Sequence, residues 1–345
     1  MSLKSQIEDL LKTLIDPLSQ QDILTCGMVQ GLHVLPTGEV SFVLEVSTAY
    51  MTTGLKLKEQ AETLLKTLPD VTALQIVLTA QRKPKANNPE KKGIPGVKHI
   101  IAVASGKGGV GKSTTAVNLA CALQMMSLKV GILDADIYGP SLPRLIGLTQ
   151  KPTSDDGKMM NPIEAHGLKC MSMGFMMDEK TPAIWRGPMI QSAFQQMLRQ
   201  VNWGELDVLI IDLPPGTGDV QLTLVQTVLL SGAIIVSTPQ DLALIDARRG
   251  LEMFLKVKVP VLGFVENMSY FMCPHCSERS EIFEHGGVRR EAQAMNIPLL
   301  AEIPLHISIR EASEKGVPLA KVDPSSPLGN VYKTLGEKVV NIIFK

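Results

Sequence analysis

Aromatic residues are scarce in this sequence. Phe, Tyr and Trp together make up 4% of 345 residues, too few for a surface on which successive bases stack. An excess of one charge is missing as well, since 34 Lys and Arg face 34 Asp and Glu. That balance argues against a strongly basic nucleic-acid binder and against a polybasic membrane protein, so neither nucleic acid nor membrane is expected as a partner. Long apolar runs are also lacking. Val228–Val236 and Val130–Leu133 fall far short of the ~20 residues that a spanning helix needs. The opening residues, MSLKSQIEDL, have neither the apolar centre of a secretory signal nor the Arg-rich, acid-poor character of a transit peptide, which predicts a cytoplasmic protein. Cysteine is sparse: five residues, an odd number and mostly scattered, do not make a disulfide framework.

What is present is apolar material. With 45% hydrophobic residues the chain can bury a large core, and its length suggests two domains at roughly 150 residues each. The composition breaks sharply at Arg82–Gly96, which holds three prolines, two glycines and five basic residues and reads as a solvated linker. The expected organisation is a small domain over 1–82, a linker over 83–97 and a large domain over 98–345. In the first part, Leu3, Ile7, Leu10, Leu11 and Leu14 recur at helical spacing, and Asp16-Pro17 closes that helix. Strands over Ile23–Leu35 and Glu39–Val46 flank Pro36-Thr37-Gly38, a hairpin signal. A helix over Leu55–Leu68 and a strand over Val71–Leu78 complete a small αββαβ domain of the α+β class. After the linker, apolar strands alternate with helices: Ile100–Ala104, Val130–Asp134, Leu168–Met173, Val208–Asp212, Ala233–Ser237, Val261–Val265 and Leu299–Ile303. Near-continuous apolar strands are covered on both faces, so the fold class is α/β with a doubly wound, mainly parallel sheet.

Gly106-Lys107-Gly108-Gly109-Val110-Gly111-Lys112-Ser113 fits G-x-x-x-x-G-K-[ST], with an apolar strand before it and a helix over Ser113–Met125 after it. The glycines let backbone N–H groups face phosphate oxygens, and the helix N-terminus adds its dipole. Lys112 reaches the β- and γ-phosphates in this motif, and the Ser113 hydroxyl ligates Mg²⁺. Asp212 ends an apolar strand, where a rigid backbone delivers a carboxylate to the Mg²⁺ side, and Leu213–Asp219 follows as a loop suited to sensing the γ-phosphate. In Asp134-Ala135-Asp136, Asp134 reads as a strand-end turn residue and Asp136 as an acid orienting the attacking water. Lys107 is not required by the general motif. It is either a solvated loop lysine or a cation reaching a second subunit.

Cys273-Pro274-His275-Cys276 admits several readings. A thioredoxin-like redox pair opens a helix, whereas this quartet follows a late strand. Zinc needs four ligands, and one chain offers two thiolates with His275 or His285 nearby. Two chains each donating a pair across a two-fold axis supply four thiolates, which suits Zn²⁺ or a [4Fe–4S] cluster. Two solvent-facing loop cysteines are the remaining possibility. Cys26, Cys121 and Cys170 stand in apolar contexts and are expected in the core. Met171–Met177, a Met-rich run, is expected to line the core and a dimer interface, with Trp185 and Arg186 nearby. The C-terminal helix, Leu328–Phe344, places an apolar face either on the sheet or on a membrane surface. The mixed polar face favours the sheet.

The sequence GKGGVGKST resembles the deviant phosphate-loop signature shared by MinD, ParA, the nitrogenase iron protein and the Mrp/ApbC proteins. Asp134–Pro143, Trp185–Met189, Asp212–Leu224, Ser237–Gly250, Gly263–Cys276 and Ile303–Leu305 resemble the Mrp/ApbC group, the iron–sulfur cluster carriers, over nearly all of the chain from Lys98 on. The first 80 residues are similar to the MIP18-like domain found ahead of many bacterial members. The resemblance implies a homodimeric ATPase that uses ATP and Mg²⁺, carries a bridging [4Fe–4S] cluster on Cys273 and Cys276, and passes it from a cluster-assembly scaffold to apo iron–sulfur proteins. It implies that Gly106–Thr114 hold the phosphates, that Lys107 crosses the dimer, and that Asp136 and Asp212–Asp219 belong to the two switches. It also implies that Asn267 meets the adenine base, although an Asx turn after the strand explains that residue equally well. MIP18-type domains with a reactive cysteine carry it after the hairpin strand. Here Val46–Met51 has none, so partner docking is the expected role of the first domain. The rival of another class is a MinD/ParA-like positioning or partitioning ATPase, which needs no cysteine pair.

Overall fold

The computed structural model describes residues 3–17, 20–47, 50–81, 93–176 and 187–345. It divides into two compact units, Met1–Asn88 and Pro89–Lys345. No described helix is long and apolar enough to cross a membrane.

The first unit runs α1 (Leu3–Leu11), β1 (Val29–Val34), β2 (Glu39–Ser47), α2 (Met51–Leu65) and β3 (Ala73–Gln81). β1 and β2 form the antiparallel hairpin announced by Pro36-Thr37-Gly38, and β3 returns parallel to β2 after α2. Alternate residues of β2, Val40, Phe42 and Leu44, point into a core shared with Ile7, Leu11, Leu57, Ala61, Leu65 and Ile76. The first strand is shorter than its apolar pattern predicts. Residues 23–27 form a turn, and the Asp22 carboxylate accepts the N–H groups of Leu24 and Thr25, a local bond that competes with strand pairing. Cys26 lies in that turn half-buried, not in the core.

The second unit runs β4 (Val97–Ala104), α3 (Lys112–Met125), β5 (Val130–Asp134), α4 (Leu142–Ile146), β6 (Ile163–Ala165), β7 (Leu168–Ser172), α5 (Gly187–Arg199) and β8 (Leu206–Asp212). It continues with α6 (Asp219–Thr227), β9 (Gly232–Ser237), α7 (Asp241–Lys256), β10 (Val261–Met272), β11 (Arg279–Ser280), α8 (Gly287–Ala294) and β12 (Leu299–Leu305). The last helices are α9 (Ile307–Lys315), α10 (Leu319–Val322) and α11 (Pro327–Ile343). The sheet order is β11-β10-β9-β4-β8-β5-β7-β6, with β12 on the other side of β10. Every pairing is parallel except the two short end strands, β6 on β7 and β11 on β10. Those two are absent from the sequence pattern because two or three residues carry no readable period.

Central strands are buried on both faces, so they read as unbroken apolar runs. β5 and β9 are buried at every residue. One layer of core packs Phe194, Leu209, Ile211, Phe254 and Phe264 on one face, and another packs Ile101, Ile132, Ile210, Val236 and Leu335 on the other. α3 lies within the second layer, buried continuously from Thr115 to Leu123, which is why its sequence shows little amphipathic contrast. α11 covers the same layer through Tyr332, Leu335 and Val339. Cys121 on α3 and Cys170 on β7 are fully buried. Burial pushes the Cys121 thiol up to about 12 and raises that of Cys170 further. Met171 and Met173 sit in the core. Met177, Trp185, Arg186 and most of the linker lie outside the described residues.

Candidate functional site

β4 delivers the chain at Ala104 to the loop 105–111, and α3 starts at Lys112. Two glycines there have no substitute. Gly111 takes φ +77°, and a Cβ on it meets the Asn267 amide nitrogen at 2.1 Å. A Cβ on Gly106 meets the α7 backbone at Asp246 at 2.3 Å. A backbone stripped of side chains at the N-terminus of a helix is an anion cradle. The loop is tied to its neighbours: Gly216 N–H donates to the Ser105 carbonyl (2.9 Å), and Ser105 Oγ donates to the Lys107 carbonyl (2.9 Å). Lys107 itself is half-buried.

Three charged side chains meet beneath the loop. Lys112 Nζ pairs with Asp212 Oδ1, with both side chains over nine-tenths buried, and donates to Ser113 Oγ at 3.3 Å. Asp134 and Asp212 end neighbouring parallel strands and are register partners, so their carboxyls lie side by side. Asp134 is no ordinary strand-end turn residue. Its Oδ2 accepts Ser172 Oγ (3.0 Å) and the Ser141 and Leu142 N–H groups (3.0 and 3.1 Å), and its Oδ1 accepts Asp136 N–H (3.1 Å). Burial first, and then the charge of Asp212, push its carboxyl up to about 7, against the pull of those N–H groups and of Lys112. Asp136 is half-buried on the following loop, where its Oδ1 accepts Gly139 N–H (3.2 Å). Asp219 opens α6.

Asn267 lies inside β10, not in a turn after it, because that strand runs seven residues past the expected end at Val265. Its side-chain amide donates to the Val110 carbonyl of the loop at 2.8 Å. Beside it opens a cavity of about 480 Å³, lined by Gly111, Thr114, Asn267, Met268, Pro304 and His306 among others. The β12–α9 junction, Pro304 to Arg310, therefore belongs to the site, although nothing in its residue types announces a ligand.

β10 continues to Met272 and hands the chain directly to Cys273. Phe271 and Met272 pair with Ser280 and Arg279, so the cysteines stand at the tip of a short hairpin. Cys273 N–H donates to Glu278 O and Ser277 N–H to Cys273 O, both at 2.9 Å. The quartet therefore forms a turn and does not open a helix. Cys273 is half-buried and Cys276 exposed. The Cys276 N–H, the His275 N–H and the Cys276 thiol all favour the Cys273 thiolate and lower its pKa. Two adjacent soft donors, one of them with its thiolate favoured, suit a thiophilic metal.

Comparisons with known proteins place the chain in a family. Residues 96–340 match the family model described as NUBPL iron-transfer P-loop NTPase, and residues 4–76 match that of an iron-sulfur cluster assembly protein. The "Iron-sulfur cluster carrier protein" of Synechocystis sp. is 43% identical over 95% of this chain and 94% of its own length. A nucleotide-binding protein from Archaeoglobus fulgidus, solved with ADP and Co, is 40% identical, with a TM-score of 0.59 over 67% of this chain and 90% of that one. The cell-division ATPase MinD of Pyrococcus furiosus shares the fold at 21% identity, with a TM-score of 0.55 over 71% of this chain and 99% of its own. With the family model matching residues 96–340 and a relative 43% identical over nearly the whole chain, the chain belongs to the NUBPL iron-transfer P-loop NTPase family.

Proposed function

We propose that this chain is an ATP-hydrolysing iron–sulfur cluster carrier of the cytoplasm, which holds a [4Fe–4S] cluster between two copies of itself and passes it from an assembly scaffold to apo iron–sulfur proteins. One observation carries the reading. A single strand, β10, touches the phosphate loop through Asn267 and runs to Met272, next to Cys273, six residues beyond Asn267. Nucleotide and cargo are thereby attached to one rigid element.

In this reading Gly106–Thr114 (Gly106, Lys107, Gly108, Gly109, Val110, Gly111, Lys112, Ser113 and Thr114) receive the ATP phosphates, which the glycine cradle fits. The cavity beside Asn267 takes the base. The β- and γ-phosphates compete with Asp212 for Lys112, because one ammonium faces two carboxyls there. Asp212 and the Ser113 hydroxyl would hold Mg²⁺, an ion that would supply charge neutralisation on the phosphates. Asp136 orients the attacking water, and Lys107 reaches the nucleotide of the second copy. Cys273 and Cys276 bind the cargo. A [4Fe–4S] cluster takes four thiolates, and each chain offers this one pair close in sequence and outside the core among its described cysteines.

The test is reconstitution of the protein with iron and sulfide without oxygen, followed by metal and sulfide analysis. The expected result is one cluster per dimer in the parent and none in Cys273→Ala or Cys276→Ala, with ATP binding retained. A cluster that persists without Cys273 and disappears on replacing Cys26, Cys121 and Cys170 overturns the assignment.

A further inference from the structure

Behind the cysteine hairpin, Glu266 and Glu302 occupy neighbouring strands. They are register partners in the parallel pair β10–β12, so their side chains lie together on one face of the sheet. His285, on the segment that leads from the hairpin to α8, closes over them. One ligand-type atom from each of Glu266, His285 and Glu302 lies within 4.8 Å of the others. Glu266 is fully buried, Glu302 about four-fifths and His285 about two-thirds buried in their side chains.

The electrostatics of this group are incomplete. Two adjacent carboxylates repel, and a buried one is stable only with compensation. Glu302 has it, since Arg289 donates Nη2 to Oε2 at 2.6 Å and Nε to Oε1 at 3.2 Å. Glu266 has no Lys or Arg within ion-pair distance among the described residues, and feels only the charge of the Arg289 guanidinium that Glu302 already engages. Its partners are the Ser269 hydroxyl and the N–H groups of Gly286 (3.4 Å) and Val288 (2.8 Å). These donors occupy one side of the carboxylate and hold it still. Outer-sphere hydrogen bonds of this kind orient a metal-ligating carboxylate. The Arg279 guanidinium lies beside the His285 ring, 3.0 Å from Nδ1 and 3.3 Å from Nε2, and has to swing aside before a ring nitrogen can ligate an ion; the Arg279 side chain is 43% exposed, which allows that.

We propose that Glu266, His285 and Glu302 form a divalent transition-metal site, distinct from the cysteine pair. One imidazole and two carboxylates suit Zn²⁺ and its neighbours in the first row, with Zn–N and Zn–O distances near 2.0–2.2 Å. The three atoms lie within 4.8 Å of one another and must close to about 3.3 Å, the spacing of tetrahedral ligands at those bond lengths, so a shift of up to about 1.5 Å falls to the two partly exposed side chains. A bound ion ties the segment after the hairpin to the sheet, and so fixes the platform from which Cys273 and Cys276 project. This site uses none of the cysteines, so it stands or falls independently of the cluster reading.

The experiment uses the full chain carrying Cys273→Ser and Cys276→Ser, stripped with chelator and titrated with Co²⁺ alone. The expected result is about one Co²⁺ per chain, with a visible spectrum lacking thiolate charge transfer and displaced by Zn²⁺. His285→Ala or Glu302→Gln in that background is expected to weaken binding by at least about 10-fold, the scale of losing even an outer-sphere partner. Arg289→Ala, which frees Glu302, is expected to keep the ion. Circular dichroism and ADP binding check that each variant is folded. The proposal is overturned if the cysteine-free chain takes up no Co²⁺, or if His285→Ala and Glu302→Gln bind it as tightly as their parent. In either case Arg289 and the helix N–H groups are the whole compensation.

Discussion

Lys112 faces two carboxyls in the nucleotide-free chain, and its loss is felt twice. Lys112→Ala removes the charge on the β- and γ-phosphate side, and ATP binding is expected to fall by about 100-fold, equivalent to about 3 kcal/mol of charge-assisted contact. Calorimetric titration with a non-hydrolysed analogue reads this directly. Lys107→Ala leaves the cradle and Lys112 in place, so binding is expected to survive while steady-state hydrolysis is lost. Equal loss of binding in both variants sinks the assignment of Lys107 to the second subunit. Asp134 adds a pH dependence. Its carboxyl is raised in the fold, so the neutral form is the stabilising one. That contribution is full below the ordinary carboxylate value of 3.8 and fades as pH rises through about 7. Melting temperatures of the nucleotide-free chain are therefore expected to fall between about pH 4 and about pH 7 and to level off above that, and to fall less in Asp134→Asn. Parallel curves for the two proteins remove Asp134 as the cause.

Among the elements, β10 is where sequence and structure part company most. The phosphate loop was legible because glycine spacing, a preceding apolar strand and a following helix all state the same backbone requirement. The central strands were legible because burial on both faces writes continuous apolar runs. β10 was read only to Val265, since Glu266, Asn267 and Ser269 break its apolar run. They are polar because each has a partner inside the protein: the α8 N-terminus, the Val110 carbonyl and Glu266. Buried polar residues with internal partners carry no period that a sequence reader can find. The same reason hid Asp134, whose neighbours across the sheet were not visible from its position in the chain. Cys121 and Cys170 show the opposite case, because apolar context alone placed them correctly. Replacing both with Ala is expected to leave any cluster untouched and to cost about 1 kcal/mol each from lost packing, read as a lower denaturation midpoint.

For the whole molecule, the division at Asn88–Pro89 predicts that each unit folds from its own core. Deleting residues 1–88 is expected to leave a fragment that melts cooperatively and binds ATP with unchanged affinity, as calorimetry on the purified fragment can check. An aggregated fragment refutes the division. Burial has also sorted the thiols of this chain into two chemical populations. Cys121 and Cys170 are sealed off with their thiols raised by burial, whereas Cys273 and Cys276 stand at a hairpin tip where backbone N–H groups favour the Cys273 thiolate. A maleimide dye added to the shortened fragment, which lacks Cys26, therefore finds only the hairpin. The protein carries its own reporter, and the labelling rate gives, without any engineered probe, the fraction of molecules whose hairpin stands empty.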